Sequence, residues 1–299
     1  APRAAPPARG RGPAPAGAGP GAAPPPRRLS AGAWYTGLLY KDTADILITT
    51  TDKAEHKKPY ALDSSYFASR RALVSFTWEN PGLGPRSSLA LGLLGQFDLN
   101  GGEDTLNSQY LSGRWALRFS GGFSLEAAAV LGAAEDGDGE SSVFFAGALG
   151  GSWAPPGAWD DRLSLRGFYS SPSEGKSLSP FIPVNSLPQG QIFGAAPGGL
   201  SLVRAVYSLR PRRTLFLSVE YVYFIRTDTV SFQDDREPQK QKADGYFLGG
   251  EFWGTVRWTP LPDLALSLGG GAFFPGMGNV FTPDAAIRWK TALALVLSL

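Results

Sequence analysis

Through residues 214–276, apolar and polar positions alternate with a period of two in three successive stretches, which predicts neighbouring β-strands. In 215–226, Leu215, Leu217, Val219, Tyr221, Tyr223 and Ile225 share one face, with Ser218, Glu220 and Arg226 on the other. In 246–258 the apolar face is Tyr246, Leu248, Gly250, Phe252, Gly254, Val256 and Trp258, opposed by Gly249, Glu251, Thr255 and Arg257. In 264–274, Leu264, Leu266, Leu268, Gly270, Ala272 and Phe274 stand against Ala265, Ser267, Gly269 and Gly271. One face suits lipid and the other suits water. Each stretch has about the length that a tilted strand needs to cross the hydrocarbon of a bilayer. Alternation alone also fits a soluble β-sandwich. Strand length and the aromatic residues at strand ends, suited to the two membrane interfaces, decide for spanning strands.

The same period recurs along the chain. Residues 31–40 and 67–78 are the first two expected strands; in the second, Ala72, Val74, Phe76 and Trp78 face lipid, and Arg71, Ser75 and Thr77 face inward. Strands follow at 88–98 (Gln96 and Asp98 inward), 112–120 (Arg114, Ala116 and Arg118 inward) and 123–133 (Ser124, Glu126 and Ala128 inward). Next come 143–153, 162–170 (Arg162, Ser164 and Arg166 inward), 200–209 (Arg204 and Ser208 inward) and, at the end, 285–299 (Arg288 and Lys290 inward). Long polar connections alternate with short ones rich in Gly, Pro or Arg, as in barrels that pair long extracellular loops with short periplasmic turns. The expected fold is an all-β, transmembrane, antiparallel up-and-down β-barrel of about twelve strands over residues 30–299. Residues 1–29 are almost wholly Ala, Pro, Gly and Arg, a composition that predicts a disordered tail. The loop 171–198 is long enough to imply a function, and its sequence leaves open whether it folds into the lumen.

Composition narrows the function. The 28 Lys and Arg nearly balance the 26 Asp and Glu, so no overall basic character argues for nucleic acid. Cysteine is absent, which removes disulfides, cysteine-ligated zinc and thiol catalysis. No run of apolar residues is long enough for a spanning helix, and mean hydropathy is −0.10; a barrel escapes such detection because only alternate residues face lipid. The chain opens at Ala1-Pro2-Arg3 without an apolar signal core, so a secretory signal is expected to have been removed. No enzyme and no cofactor are expected. The single histidine, His56, falls in a predicted loop without a nucleophile beside it, and Gly269-Gly270-Gly271 lies within a strand and not before a helix. The acids at Asp136 and Asp234-Asp235 read as solvated loop residues.

Residues 220–228 (EYVYFIRTD), Leu248-Gly249-Gly250-Glu251, Leu266-Ser267-Leu268-Gly269 and the closing Phe273-Phe274-Pro275-Gly276 resemble the C-terminal part of the alginate-export family of outer-membrane barrels. The resemblance spans about a fifth of the chain, over 214–276. It implies an arginine-lined lumen that passes an anionic polysaccharide. Members of that family are larger barrels that commonly end in an aromatic residue, whereas this chain has fewer expected strands and ends in Leu299.

The facing assignment places Arg71, Arg114, Arg118, Arg166, Arg204, Arg226, Arg257, Arg288 and Lys290 in the lumen against Asp98, Glu126, Glu220 and Glu251. Guanidinium groups stay charged and bind carboxylates bidentately, so an excess of them offers an anion successive weak sites. Pairing between strands accounts for the acids and leaves cations over. The expected function is therefore an outer-membrane, porin-like channel for small or polymeric anions, with lipid and an anionic solute or polysaccharide as its partners. The alternative is a plugged barrel whose long loops bind a ligand or partner.

Overall fold

The computed structural model describes residues 27–35, 71–84, 86–99, 106–136, 141–157, 159–172, 181–182, 189–195, 197–229 and 244–297. The expected tail up to residue 26, His56 and Asp234-Asp235 lie outside the described residues. The fold is an all-β, antiparallel, up-and-down barrel sheet of twelve strands in sequence order. They are β1 (Arg28–Tyr35), β2 (Arg71–Gly84), β3 (Ser87–Asp98), β4 (Leu106–Arg118), β5 (Phe123–Asp136) and β6 (Ser141–Trp153). The second half comprises β7 (Arg162–Ser170), β8 (Leu200–Arg212), β9 (Leu215–Arg226), β10 (Phe247–Leu261), β11 (Leu264–Phe274) and β12 (Arg288–Leu297). Each strand is hydrogen-bonded to its neighbours in sequence, and among the described residues no ladder joins β1 to β12.

The outward face is apolar and uncovered. Leu93, Leu149, Leu165, Val219 and Leu268 are all more than half exposed, so they are not the filling between two packed sheets. Exposed apolar side chains on every second position of neighbouring strands require a non-aqueous surrounding, which is the bilayer. Rings gather toward both ends of this face. At the turn end stand Trp115, Phe119, Phe123, Trp153 and Trp258, all exposed. At the loop end Phe145 stacks on Tyr169 at 5.5 Å, Tyr223 meets Phe247 at 6.2 Å, and Phe252 meets Phe274 at 6.1 Å. Tyr35 pairs with outward Ala72 and shares its face, which sends Trp34 inward.

Several boundaries differ from the alternation pattern for physical reasons. β2 continues to Gly84 through the expected turn, because a register shift between Asn80 and Gly84 absorbs Pro81, which has no N–H for the ladder. β4 begins at Leu106 and not near Ser112. Its polar start is held by side-chain hydrogen bonds: Asn107 Oδ1 accepts the Asp98 backbone N–H at 3.0 Å, and on the inner wall Ser108 receives Gln96 at 3.3 Å. Leu248, expected outward, turns inward and is fully buried, while Phe247 takes the lipid face. A bulge between Phe247 and Gly249 causes this, and it needs glycine, since Gly249 has φ of 135°.

The buried apolar residues lie on the inner face toward the loop end. Leu200, Leu202, Val222, Phe224, Leu248 and Phe273 form one cluster with Val280 and Phe281 of the β11–β12 connection. Tyr110, Ala134, Phe144 and Ile182 form a second.

Candidate functional site: the inner face

Residues 181–182 and 189–195, from the long β7–β8 connection, pack on two different parts of the wall. Ile182 is fully buried, and its carbonyl accepts the Tyr110 hydroxyl of β4 at 3.1 Å; Phe181 meets Phe144 of β6 edge to face at 5.8 Å. Farther along, Glu251 of β10, 1% exposed, accepts three successive backbone N–H groups: Gln191 at 2.6 Å, Ile192 at 3.1 Å and Phe193 at 2.8 Å. Phe193 stacks on Phe273 at 4.6 Å and lies 5.2 Å from Phe224. Lys290 Nζ of β12 donates to the Gln191 carbonyl at 3.0 Å. A Gln189–Ala195 bridge closes this small turn. Gly190 enters it at φ of 84°, where a Cβ would stand 2.7 Å from the Phe224 ring and 2.9 Å from Glu251 Oε2. The connection is thus anchored on β4–β6 at one end and on β9–β12 at the other, a strap on the inner face.

The expected pore-lining residues divide by height. At the loop end four of them brace the wall or the strap. Arg71 is buried, with Asp98 at 3.9 Å. Arg226 is buried and donates through Nε to the Gly245 carbonyl, a short hydrogen bond that holds the rim of β10. Glu251 and Lys290 hold the strap, as given above. Expected as lining, Arg71, Arg226 and Glu251 are buried instead: the strap sits on Glu251, Arg226 reaches the Gly245 carbonyl, and Arg71 stands beside Asp98. Arg288 is exposed and pairs in register with Phe273.

Toward the turn end the inner face is open and basic. Arg114, exposed, holds the partly exposed Glu126 at 2.9 Å. Arg204 approaches Glu220 to 3.3 Å, yet Arg204 Nε and Glu220 Oε1 lack the alignment of a hydrogen bond. Arg118, Arg166 and Arg257 are exposed, and their guanidinium groups have no hydrogen-bond or ion-pair partner among the described residues. Arg162 donates to Ser152 Oγ at 2.9 Å, and Ser152 shares a 2.8 Å hydrogen bond with Ser124. Among the described residues no group of three His, Cys, Asp or Glu is placed to hold a metal.

Alternation missed the inward aromatics. Trp253 faces inward and donates from Nε1 to Thr255 at 3.0 Å; its ring covers Gly269, where a Cβ would come within 2.5 Å of it. The signal available was local: 221–225 reads Tyr-Val-Tyr-Phe-Ile, apolar on both parities, as a strand buried on both faces should.

Fold and inner wall together define a membrane-spanning up-and-down barrel with a polar, arginine-rich half-lumen. No family model matches the chain, and no curated protein matches it. Among solved structures it is similar to the NanC porin in a rhombohedral crystal form, at 7% identity over 77% of this chain and 94% of that one, with a TM-score of 0.35. It is also similar to the outer membrane protein OprD from Pseudomonas aeruginosa, at 12% identity over 75% of this chain and 58% of that one, with a TM-score of 0.48. The resemblance of 214–276 to alginate-export barrels rests on its residues alone.

Proposed function

We propose that the protein is an outer-membrane channel passing small anions, with the strap narrowing its loop end. One observation carries the reading: Arg118, Arg166 and Arg257 project from the inner face toward the turn end, exposed, their guanidinium groups without partners among the described residues. Of the acids on the inner face, Asp98 stands by Arg71, Glu126 by Arg114 and Glu220 by Arg204, and the exposed Glu79 lies in register with Arg28 across β1 and β2. In a watery lumen with an effective dielectric of about 40, a guanidinium roughly 7 Å from a passing anion attracts it by about 1 kcal/mol. A few such groups favour anions appreciably, and none binds tightly enough to trap them. In this reading the turn end faces the periplasm, the partners are outer-membrane lipid and the solute, and no cofactor or catalytic group is involved. The likeness of 214–276 to alginate-export barrels supports passage of anions, while the strap favours small solutes over a polymer.

The test is a reversal potential across a salt gradient at low ionic strength, where screening is weak. The native channel is expected to prefer anions, and the Arg118→Ser, Arg166→Ser, Arg257→Ser triple variant to lose most of that preference. Cation preference in the native channel, or no change in the variant, overturns the reading. The strap itself favours a second reading, a plugged barrel, because it is tied to two parts of the wall. A plugged barrel gives no conductance steps.

A further inference from the structure

On the inner wall of β5–β8 lies a recess of about 270 Å³ whose lining includes Ser152, Ser164, Arg162, Arg166 and Arg204. We infer that it is a binding site for one small divalent oxyanion, a phosphate-type or dicarboxylate dianion. The inference rests on the anion-channel reading and names the solute class that the wall would hold.

The strand register sets up the charge. Arg166 and Arg204 are direct partners across β7 and β8, and Ser152 and Ser164 are partners across β6 and β7. Like charges directly opposite one another destabilise a sheet. The acids at the recess relieve little of this. Glu126 is held by Arg114 at 2.9 Å, and Glu220 stands by Arg204 without a formed hydrogen bond. Each acid is therefore matched by one arginine, and Arg162 and Arg166 add two further positive charges. Arg162 is steadied by Ser152, whereas the Arg166 guanidinium has no partner among the described residues. Gly150, opposite Arg166, sets no side chain against it; a Cβ there would meet the Leu165 carbonyl oxygen at 3.3 Å and the Arg166 stem at 3.6 Å.

A chloride ion balances one of the two added charges and accepts no bidentate hydrogen bonds. A compact dianion balances both, and its oxygens suit the guanidinium fork, which binds phosphate and carboxylate with paired N–H groups. The Ser164 hydroxyl has only a long contact to the Val206 carbonyl at 3.5 Å, so it remains able to donate.

The test is isothermal titration of the full-length protein in detergent with inorganic phosphate, succinate, chloride and formate. Phosphate is measured at a pH above and a pH below its second pKa, with arginine charged at both. Divalent phosphate or succinate is expected to bind at least tenfold more tightly than chloride or formate, and the stronger of the two names the source. Monovalent phosphate should lose most of the advantage. Arg166→Ser should abolish the divalent preference, and Arg166→Lys, which keeps the charge but not the fork, should retain a weak one. Arg166 is exposed, so neither variant endangers folding; heat-modified mobility on a gel checks assembly. Equal binding of monovalent and divalent anions, or an unchanged preference in Arg166→Ser, overturns the site. Titration needs no conduction, so a barrel that binds phosphate without conducting refutes the channel and not the recess. A conducting barrel without divalent preference does the reverse.

Discussion

Changing Glu251 to Gln keeps the shape of the side chain and removes the charge that holds the strap. The carboxylate divides its work: Oε1 accepts Gln191, and Oε2 accepts both Ile192 and Phe193. A glutamine can present an oxygen at one of those positions only, and its NH2 at the other meets an N–H that needs an acceptor. Hydrogen bonds to a charged group contribute about 1.5–3 kcal/mol each, neutral ones about 0.5–1.5, and a buried donor left without an acceptor costs about 1–3. Orphaning Gln191 N–H and weakening the other two bonds should together destabilise the docked strap by about 3 kcal/mol. The Phe193 stack on Phe273 survives the change and adds about 1 kcal/mol beyond its burial, so the strap loosens without the barrel unfolding.

Hydrogen exchange reads this directly. A loss of about 3 kcal/mol corresponds to roughly a hundredfold faster exchange at amides 191–193, if they exchange through strap opening. The strand amides of β10 and β11 should keep their native rates. Single-channel records should show a larger or more fluctuating conductance in the variant. Unchanged exchange at 191–193 would mean that the aromatic stack and the Gln189–Ala195 bridge hold the strap, with Glu251 a bystander.

Three further outcomes are expected. Gly190→Ala forces a side chain into positive φ and into the Phe224 ring and Glu251, so the same amides should exchange faster through about 1–2 kcal/mol of strain, with far-UV dichroism unchanged. Val219→Arg puts a guanidinium on the exposed outer face at mid-strand and should cost about 2–4 kcal/mol of folding stability in lipid vesicles; a neutral result would mean that this face does not meet hydrocarbon. Removing residues 1–26 should leave assembly in detergent intact, because β1 begins at Arg28, whereas removal through Gly32 deletes five of the eight β1–β2 register pairs and should impair it.

What the alternation pattern made legible was the lipid face. Period two registers the contrast between hydrocarbon and everything else, and Val74, Leu91, Leu131 and Val219 stand out where it places them. A one-residue slip would carry the charges of the inner wall into lipid, so register and facing are strongly specified together. The pattern said less about where strands stop. Polar residues at a strand's start look the same in wall and loop, which is why Asn107, on the outer parity, and Ser108, on the inner, read as connection although they lie in β4.

The inner wall was legible by residue type and not by role. Arg226 and Arg166 look alike in sequence, both facing inward, yet one is enclosed beneath the rim and the other stands open. Their difference comes from contacts far along the chain. Glu251 meets residues about sixty positions away, and Lys290 meets one 99 positions away. No local periodicity encodes such pairings. One indirect trace exists, since a wall covered by a strap must be apolar on its inner parity too, as Phe144, Val222, Phe224 and Phe273 are. Where a barrel strand loses its alternation and stays apolar on both parities, something inside the lumen has replaced water. In this chain that loss lies toward the loop end of β6, β8, β9 and β11, where the strap docks; toward the turn end the inner face carries exposed arginines, with Val206 and Phe216 as apolar exceptions on β8 and β9.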